Sequence, residues 1–121
     1  MDTSLIRIIQ ACLFFLSMFL FGYWLQRMGK PYNGLIFNLH KLIGLGLGVF
    51  LIITVVNAQH AADFGVAQIA AVVITVLLFL CTVIAGGLVS INRPIPVAIS
   101  WVHKVLPYIT VVSTVVTLYI L

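Results

Sequence analysis

Long apolar segments alternate with short polar ones along the whole chain. Four apolar segments cover about residues 5–26, 35–57, 66–91 and 97–121. Each contains the roughly 20 residues that a helix needs to cross about 30 Å of hydrocarbon. The pattern therefore predicts an all-α integral membrane protein: a single transmembrane domain over residues 1–121, folded as a four-helix bundle with up-down-up-down topology.

The composition supports this prediction, and the positions of the basic residues add an orientation. The chain is 64% hydrophobic and only 7% charged, whereas soluble domains contain about 25% charged residues. Five bases fall in the two links that join helices 1 to 2 and 3 to 4, or just after them: Arg27, Lys30, Lys41, Arg93 and Lys104. Because cytoplasmic loops are enriched in Lys and Arg, we expect both links in the cytoplasm and both termini outside, in a bacterial inner membrane. This topology accounts for the net charge of +4, so no nucleic-acid partner is expected.

A rare pattern of residues occurs twice, 63 positions apart. Sliding the chain by that distance places Lys30 on Arg93, Pro31 on Pro94, His40 on His103 and Lys41 on Lys104, in a chain with three His and four Pro. An even number of crossings separates the copies, which predicts two parallel helical-hairpin repeats related by an axis along the membrane normal. Helices 2 and 4 would then be parallel, with each His at the same depth, roughly 7 Å from its helix start.

The two histidines are the candidate cofactor ligands, because an ionisable side chain inside a span is costly and usually functional. Two imidazoles at one depth on parallel helices can bind a haem iron from both sides. Gly44 and Gly48 follow His40 on the same helix face and would leave room for a flat macrocycle. Pro107 comes four residues after His103, where it would bend helix 4 and aim the imidazole. The haem propionates would pair with nearby bases: Lys30, Lys41, Arg93 and Lys104.

In the segments HKLIGLGLG (residues 40–48) and WVHKVLPYI (residues 101–109), the chain resembles small four-helix bis-histidine membrane cytochromes b, in the manner of the cytochrome b561-like proteins. The resemblance implies one b-type haem with His40 and His103 as iron ligands, and electron exchange with a quinone or a partner protein. It implies an electron carrier, or a subunit of an oxidoreductase complex, rather than an enzyme acting alone. At the opposite helix ends only Asn57, Gln59, His60 and Tyr119 are available, so a second bis-histidine haem is not expected.

The same residues allow other interpretations. A His-Lys pair near a helix end can be interfacial, with the Lys reaching lipid phosphates and the His bonding a carbonyl. The glycines of GLGLG can form a helix-packing surface instead of a cofactor groove. The alternative function is therefore a cofactor-free or chlorophyll-type pigment-binding accessory subunit of a larger membrane complex. In either case we expect the chain to contact lipid and other membrane subunits, or further copies of itself.

Two other classes are excluded by what the sequence lacks. A proton-coupled transporter needs a carboxylate within its spans, and the only acids, Asp2 and Asp63, lie outside the apolar segments. The serines have no acid and base arranged around them for hydrolytic catalysis. The aromatic run FFLSMFLF (residues 14–21) is expected to face lipid.

Overall fold

The computed structural model of the protein describes residues 3–91 and 93–121, so Asp2 lies outside the described residues. Within these ranges the chain forms four α-helices, with no strand: α1 Thr3–Met28, α2 Gly34–Ala61, α3 Val66–Val89 and α4 Val97–Ile120. All four are long and apolar enough to cross a membrane. The prediction of an all-α integral membrane protein with four helices is confirmed.

The helices pair as two hairpins, α1 with α2 and α3 with α4, and each pair forms a compact unit. The two predicted helical hairpins are therefore observed, while their parallel arrangement and their grouping into a single domain stay predictions. The helix ends agree with the sequence prediction to within four residues. The largest difference is at the end of α2, which continues to Ala61, so His60 lies in the last helical turn and not in a loop.

The turn between α1 and α2 is set by two residues with well-defined roles. Gly29 adopts a positive φ of 74° and donates its N–H to the carbonyl of Leu25. A glycine in this left-handed conformation is the usual end of a helix. Asn33 then caps α2, because its side-chain oxygen accepts hydrogen bonds from the N–H groups of Leu35 and Ile36. The short polar segment therefore ends one spanning helix and begins the next.

The interface between α1 and α2 is mainly apolar. Phe15 is only 5% exposed and Leu47 is fully buried, while the rings of Phe14 and Phe50 lie 5.6 Å apart. The prediction that the aromatic run of helix 1 faces lipid is therefore wrong for Phe14 and Phe15. The reason is that lipid and a neighbouring helix are equally apolar, so hydrophobicity alone does not select which face of α1 packs against protein.

The interface between α3 and α4 is different, because it is rich in hydroxyl groups. Its buried residues are Thr75, Thr82, Ala85, Thr110, Thr114, Thr117 and Leu118. The hydroxyl of Thr82 contacts that of Thr110 at 3.3 Å. Closer to the far end of the hairpin, Gln68 of α3 donates a 2.9 Å hydrogen bond to the carbonyl of Ile120. Small polar side chains of this kind let helices approach closely and bond across a membrane-embedded interface.

Three hydroxyls in this interface form a hydrogen-bond network whose proton positions can be assigned. Thr75 Oγ1 lies 2.6 Å from Ser113 Oγ and 2.9 Å from Thr117 Oγ1. Thr117 has one hydroxyl proton, and its shortest carbonyl contact is Ser113 O at 2.8 Å, compared with 3.3 Å to Ala71 O. Thr117 therefore donates to Ser113 O and accepts from Thr75, which in turn accepts from the Ser113 hydroxyl.

Replacing Thr75 with valine is expected to destabilise the α3–α4 hairpin by about 1 kcal/mol. This value lies between the average and the maximum measured for hydrogen bonds between membrane helices. The change preserves volume but leaves the Ser113 donor and the Thr117 acceptor without their interhelical partner. Thr114→Val is the matched control, because Thr114 is also buried but donates to the Thr110 carbonyl of its own helix. Unfolding titrations in mixed detergent micelles measure both variants, and equal losses would contradict the assigned network.

Candidate functional site

His103 of α4 is held by a hydrogen bond that it donates to α3 of its own hairpin. Its Nδ1 atom lies 3.1 Å from the carbonyl oxygen of Thr82 in α3. A carbonyl oxygen only accepts hydrogen bonds, so Nδ1 carries the proton and donates it. In the neutral imidazole the lone pair is then on Nε2. This is the tautomer of most metal-binding histidines, which donate their second ring N–H to a carbonyl or carboxylate.

The imidazole of His103 also packs directly on Gly86 of α3. A Cβ atom built on Gly86 would lie 2.7 Å from His103 Cε1, 3.3 Å from Nδ1 and 3.4 Å from Nε2. The first distance is well inside van der Waals contact, so only glycine fits with the ring in its present position. The neighbouring Gly87 has open space at the same point. The close approach is therefore specific to Gly86.

His40 occupies the equivalent position in the first hairpin. A Cβ atom on Gly22 of α1 would lie 3.2 Å from His40 Cε1, 3.7 Å from Nδ1 and 3.9 Å from Nε2. The same edge of the ring faces the glycine in both hairpins. Both histidines are partly buried, and the Nδ1 atom of His40 is shielded from solvent. Each hairpin thus holds one imidazole, from its second helix, against a glycine of its first helix.

The two glycines were not identified from the sequence. Gly22 precedes His40 by 18 residues and Gly86 precedes His103 by 17, so the glycines are 64 positions apart while the histidines are 63 apart. Comparing the halves at a single offset places Gly22 on Ala85 and hides the correspondence. The available signal was a glycine within each first helix at nearly the same distance from its His.

The glycines that were predicted to flank a macrocycle have different surroundings. A Cβ on Gly44 would lie 3.5 Å from Met18 Cε of α1, which is ordinary van der Waals contact. Gly46, in the same segment, faces Phe14 Cε1 at 3.4 Å. Gly48 is partly buried. The structure therefore places Gly44 in the packing interface with α1, and the macrocycle role of Gly44 and Gly48 stays a prediction.

The predicted propionate partners are exposed and lie in the links or in the second turn of α2 and α4: Lys30, Lys41, Arg93 and Lys104. Two of them are oriented by aromatic rings. Lys41 Nζ lies 4.6 Å from the centre of the Phe37 ring, and Lys104 Nζ lies 5.3 Å from that of Trp101. Such cation–π contacts hold a charged group near a membrane surface without neutralising it.

The turn of the first hairpin also contains a partly buried phenol. Tyr32 packs edge-on against Phe37, with ring centres 5.5 Å apart. Burial raises the pKa of Tyr32 above its ordinary value. The phenol therefore stays neutral at physiological pH and does not offset the positive charge of Lys30 and Lys41.

His40 and His103 are the side chains of the site that could serve as ligands of a haem iron. Among residues 3–91 and 93–121, no three His, Cys, Asp or Glu side chains come together as a metal-binding group. The first hairpin has a partly buried His40 and, at the other end of α2, an exposed His60, and the second hairpin has His103. A haem iron already has four porphyrin nitrogens and needs one or two protein ligands, typically neutral imidazole. Single histidines held at fixed positions are therefore suitable for this cofactor.

Comparison with known protein families, with curated proteins and with solved structures found no match for this chain.

Proposed function

We propose that the protein is a membrane electron-transfer protein that holds one b-type haem between His40 and His103. The observation that carries the proposal is the hydrogen bond from His103 Nδ1 to the Thr82 carbonyl, which leaves Nε2 as the basic atom. A bond of this kind fixes the ring orientation and raises the basicity of the coordinating nitrogen. A histidine that only bonds a carbonyl can use either ring nitrogen, whereas a ligand that binds iron through Nε2 needs its proton on Nδ1.

The repeated packing of the histidines gives further support. Both imidazoles rest on a glycine with the same ring edge, although the two glycines are not equivalent in the sequence repeat. The two hairpins thus reach the same contact between imidazole and glycine although the number of residues between glycine and histidine differs by one. Two ligands that serve one cofactor need defined ring orientations, and the contact with a glycine restricts the ring in both hairpins.

The basic ends of the hairpins suggest how the cofactor would lie. Lys30 and Lys41 belong to the same end of the first hairpin as His40, and Arg93 and Lys104 to the same end of the second hairpin as His103. These bases would pair with the haem propionates at the membrane surface. We place this end at the cytoplasmic side of a bacterial inner membrane, with both termini outside, because of the excess of Lys and Arg.

When bound, the haem would supply reversible one-electron transfer between ferric and ferrous iron. The chain's own residues would hold it and set its environment: His40 and His103 would bind the iron, and the apolar helices would exclude water. The electron partner would be a quinone or another protein. A single haem near one face does not span the bilayer, so a partner complex or a second copy of the chain is required.

An absorption spectrum of the purified protein, before and after dithionite, tests this function. We expect a sharp reduced α band and one haem per polypeptide, quantified as the pyridine complex. The absence of haem from protein expressed with a sufficient haem supply would contradict the proposal. A chlorin spectrum would instead support the pigment-binding alternative.

A further inference from the structure

We propose that Gly22 and Gly86 are positioning residues, which set the direction of the two histidine ligands from the opposite helix of each hairpin. This inference rests on the proposed function, because the direction of the imidazoles matters only if they bind a haem iron. The glycines do not touch the cofactor in this proposal. They act through the imidazoles of His40 and His103. The repeated sequence motif that contains the two histidines does not include either glycine.

The distances distinguish these glycines from Gly44 and Gly46 of α2. The closest Cβ contacts at Gly44 and Gly46 are 3.5 Å and 3.4 Å, to Met18 and Phe14. At Gly22 and Gly86 the closest atoms are ring carbons of His40 and His103, at 3.2 Å and 2.7 Å. The tightest approaches in this set therefore both involve a candidate ligand.

A methyl group at Gly86 would force the ring of His103 to move. The ring is the end of a rotatable side chain, so it can turn away without disrupting the helices. However, it is also bonded to the Thr82 carbonyl through Nδ1. When the ring turns, this hydrogen bond becomes longer and, at the same time, Nε2 points in a different direction. The substitution should therefore alter the ligand and not the fold, particularly because alanine favours helix formation more than glycine does.

The two positions differ in the size of the expected effect. The distance from a Cβ atom to the histidine Cε1 is 3.2 Å at Gly22 and 2.7 Å at Gly86. Gly22→Ala therefore requires a smaller displacement of the imidazole. Gly87→Ala is the matched control, because a Cβ there meets nothing within 4 Å. It adds the same methyl group to the same turn of α3. The expected order of effects is Gly86→Ala, then Gly22→Ala, then Gly87→Ala.

The experiment follows histidine carbon Cε1 by ¹H–¹³C NMR in dithionite-reduced full-length protein labelled at histidine, in detergent micelles. A six-coordinate bis-imidazole ferrous iron is diamagnetic, so the measurement works with or without haem. The chain has three histidines, and His60→Ala assigns the signal outside the site. We expect Gly86→Ala to shift the His103 signal and Gly22→Ala to shift the His40 signal by less. Gly87→Ala should shift neither.

The midpoint potential provides the second measurement on the same variants. Weakening the hydrogen bond to Thr82 lowers the basicity of the His103 ring. A less basic imidazole stabilises ferric iron less than the wild-type imidazole does. Gly86→Ala should therefore raise the potential relative to both the wild type and Gly87→Ala. If haem is present but Gly86→Ala matches Gly87→Ala in NMR and potential, this inference alone is overturned. Wild-type protein without haem overturns the proposed function, and the positioning role with it.

Discussion

Replacing His103 with alanine is expected to abolish the six-coordinate haem spectrum of the purified protein, and replacing His40 is expected to do the same. The proposed cofactor has one imidazole on each side of the iron, so neither ligand can compensate for the other. The retained haem should fall by at least about tenfold, since loss of groups that merely support a metal ligand already costs 10–100-fold in affinity. Absorption spectra and haem content per polypeptide measure the effect.

His60→Ala is the matched control for both substitutions. His60 is also a histidine of α2, but it lies exposed in the last helical turn, at the opposite end of the helix from His40. We expect its replacement to leave the haem content and the reduced α band unchanged. An α band that survives in either His40→Ala or His103→Ala would contradict the shared site. Loss in one variant alone would indicate a haem with a single histidine ligand.

Replacing Leu47 with alanine is expected to destabilise the α1–α2 hairpin by about 1–3 kcal/mol. Leu47 is fully buried and lies two helical turns after His40, on the same side of α2. In soluble proteins a buried Leu→Ala change costs about 2–5 kcal/mol, part of which is the transfer of apolar atoms out of water. Lipid is as apolar as the protein interior, so only the lost packing contacts and the cavity remain in a membrane.

Leu45→Ala separates this packing effect from any general effect of a smaller side chain. Leu45 is 65% exposed, two residues before Leu47 in the same helix, and its replacement opens no cavity. We expect Leu45→Ala to change the free energy of unfolding of the protein by less than about 0.5 kcal/mol, as most surface substitutions do. Unfolding by a denaturing detergent, followed by far-UV circular dichroism, measures both variants. A loss as large in Leu45→Ala as in Leu47→Ala would show that the hairpin interface is not where the structure places it.

The helices could be predicted from the sequence because helix formation in a membrane is a local requirement. Every backbone polar group in hydrocarbon must be bonded within the chain, so an apolar segment of sufficient length becomes a helix. The end of α2 was predicted too early because Asn57 and Gln59 are polar. Their backbone groups still complete the helical hydrogen bonds up to Ala61, since polar side chains at the membrane surface do not interrupt a helix.

The packing faces could not be predicted from the same pattern. α1 is apolar on all sides, so nothing in the sequence distinguished Phe15, which is buried, from Leu16, which is 55% exposed. In α3 the buried positions are Thr75, Thr82 and Ala85, which an analysis of hydrophobicity ranks below their neighbours. Helix association in lipid depends on close approach and on hydrogen bonds, so small and hydroxyl-bearing residues are selected for the interface.

By itself, the sequence determined that the chain forms four helices long and apolar enough to cross a membrane, and that His40 and His103 occupy matching positions in two similar hairpins. These features follow from segment length and from the repeat of rare residues. Only the tertiary structure showed that each imidazole lies on a glycine of the preceding helix, and that His103 donates its Nδ1 proton to Thr82. Both contacts join residues 17 to 21 positions apart whose meeting depends on the register between two helices, and that register is set by packing.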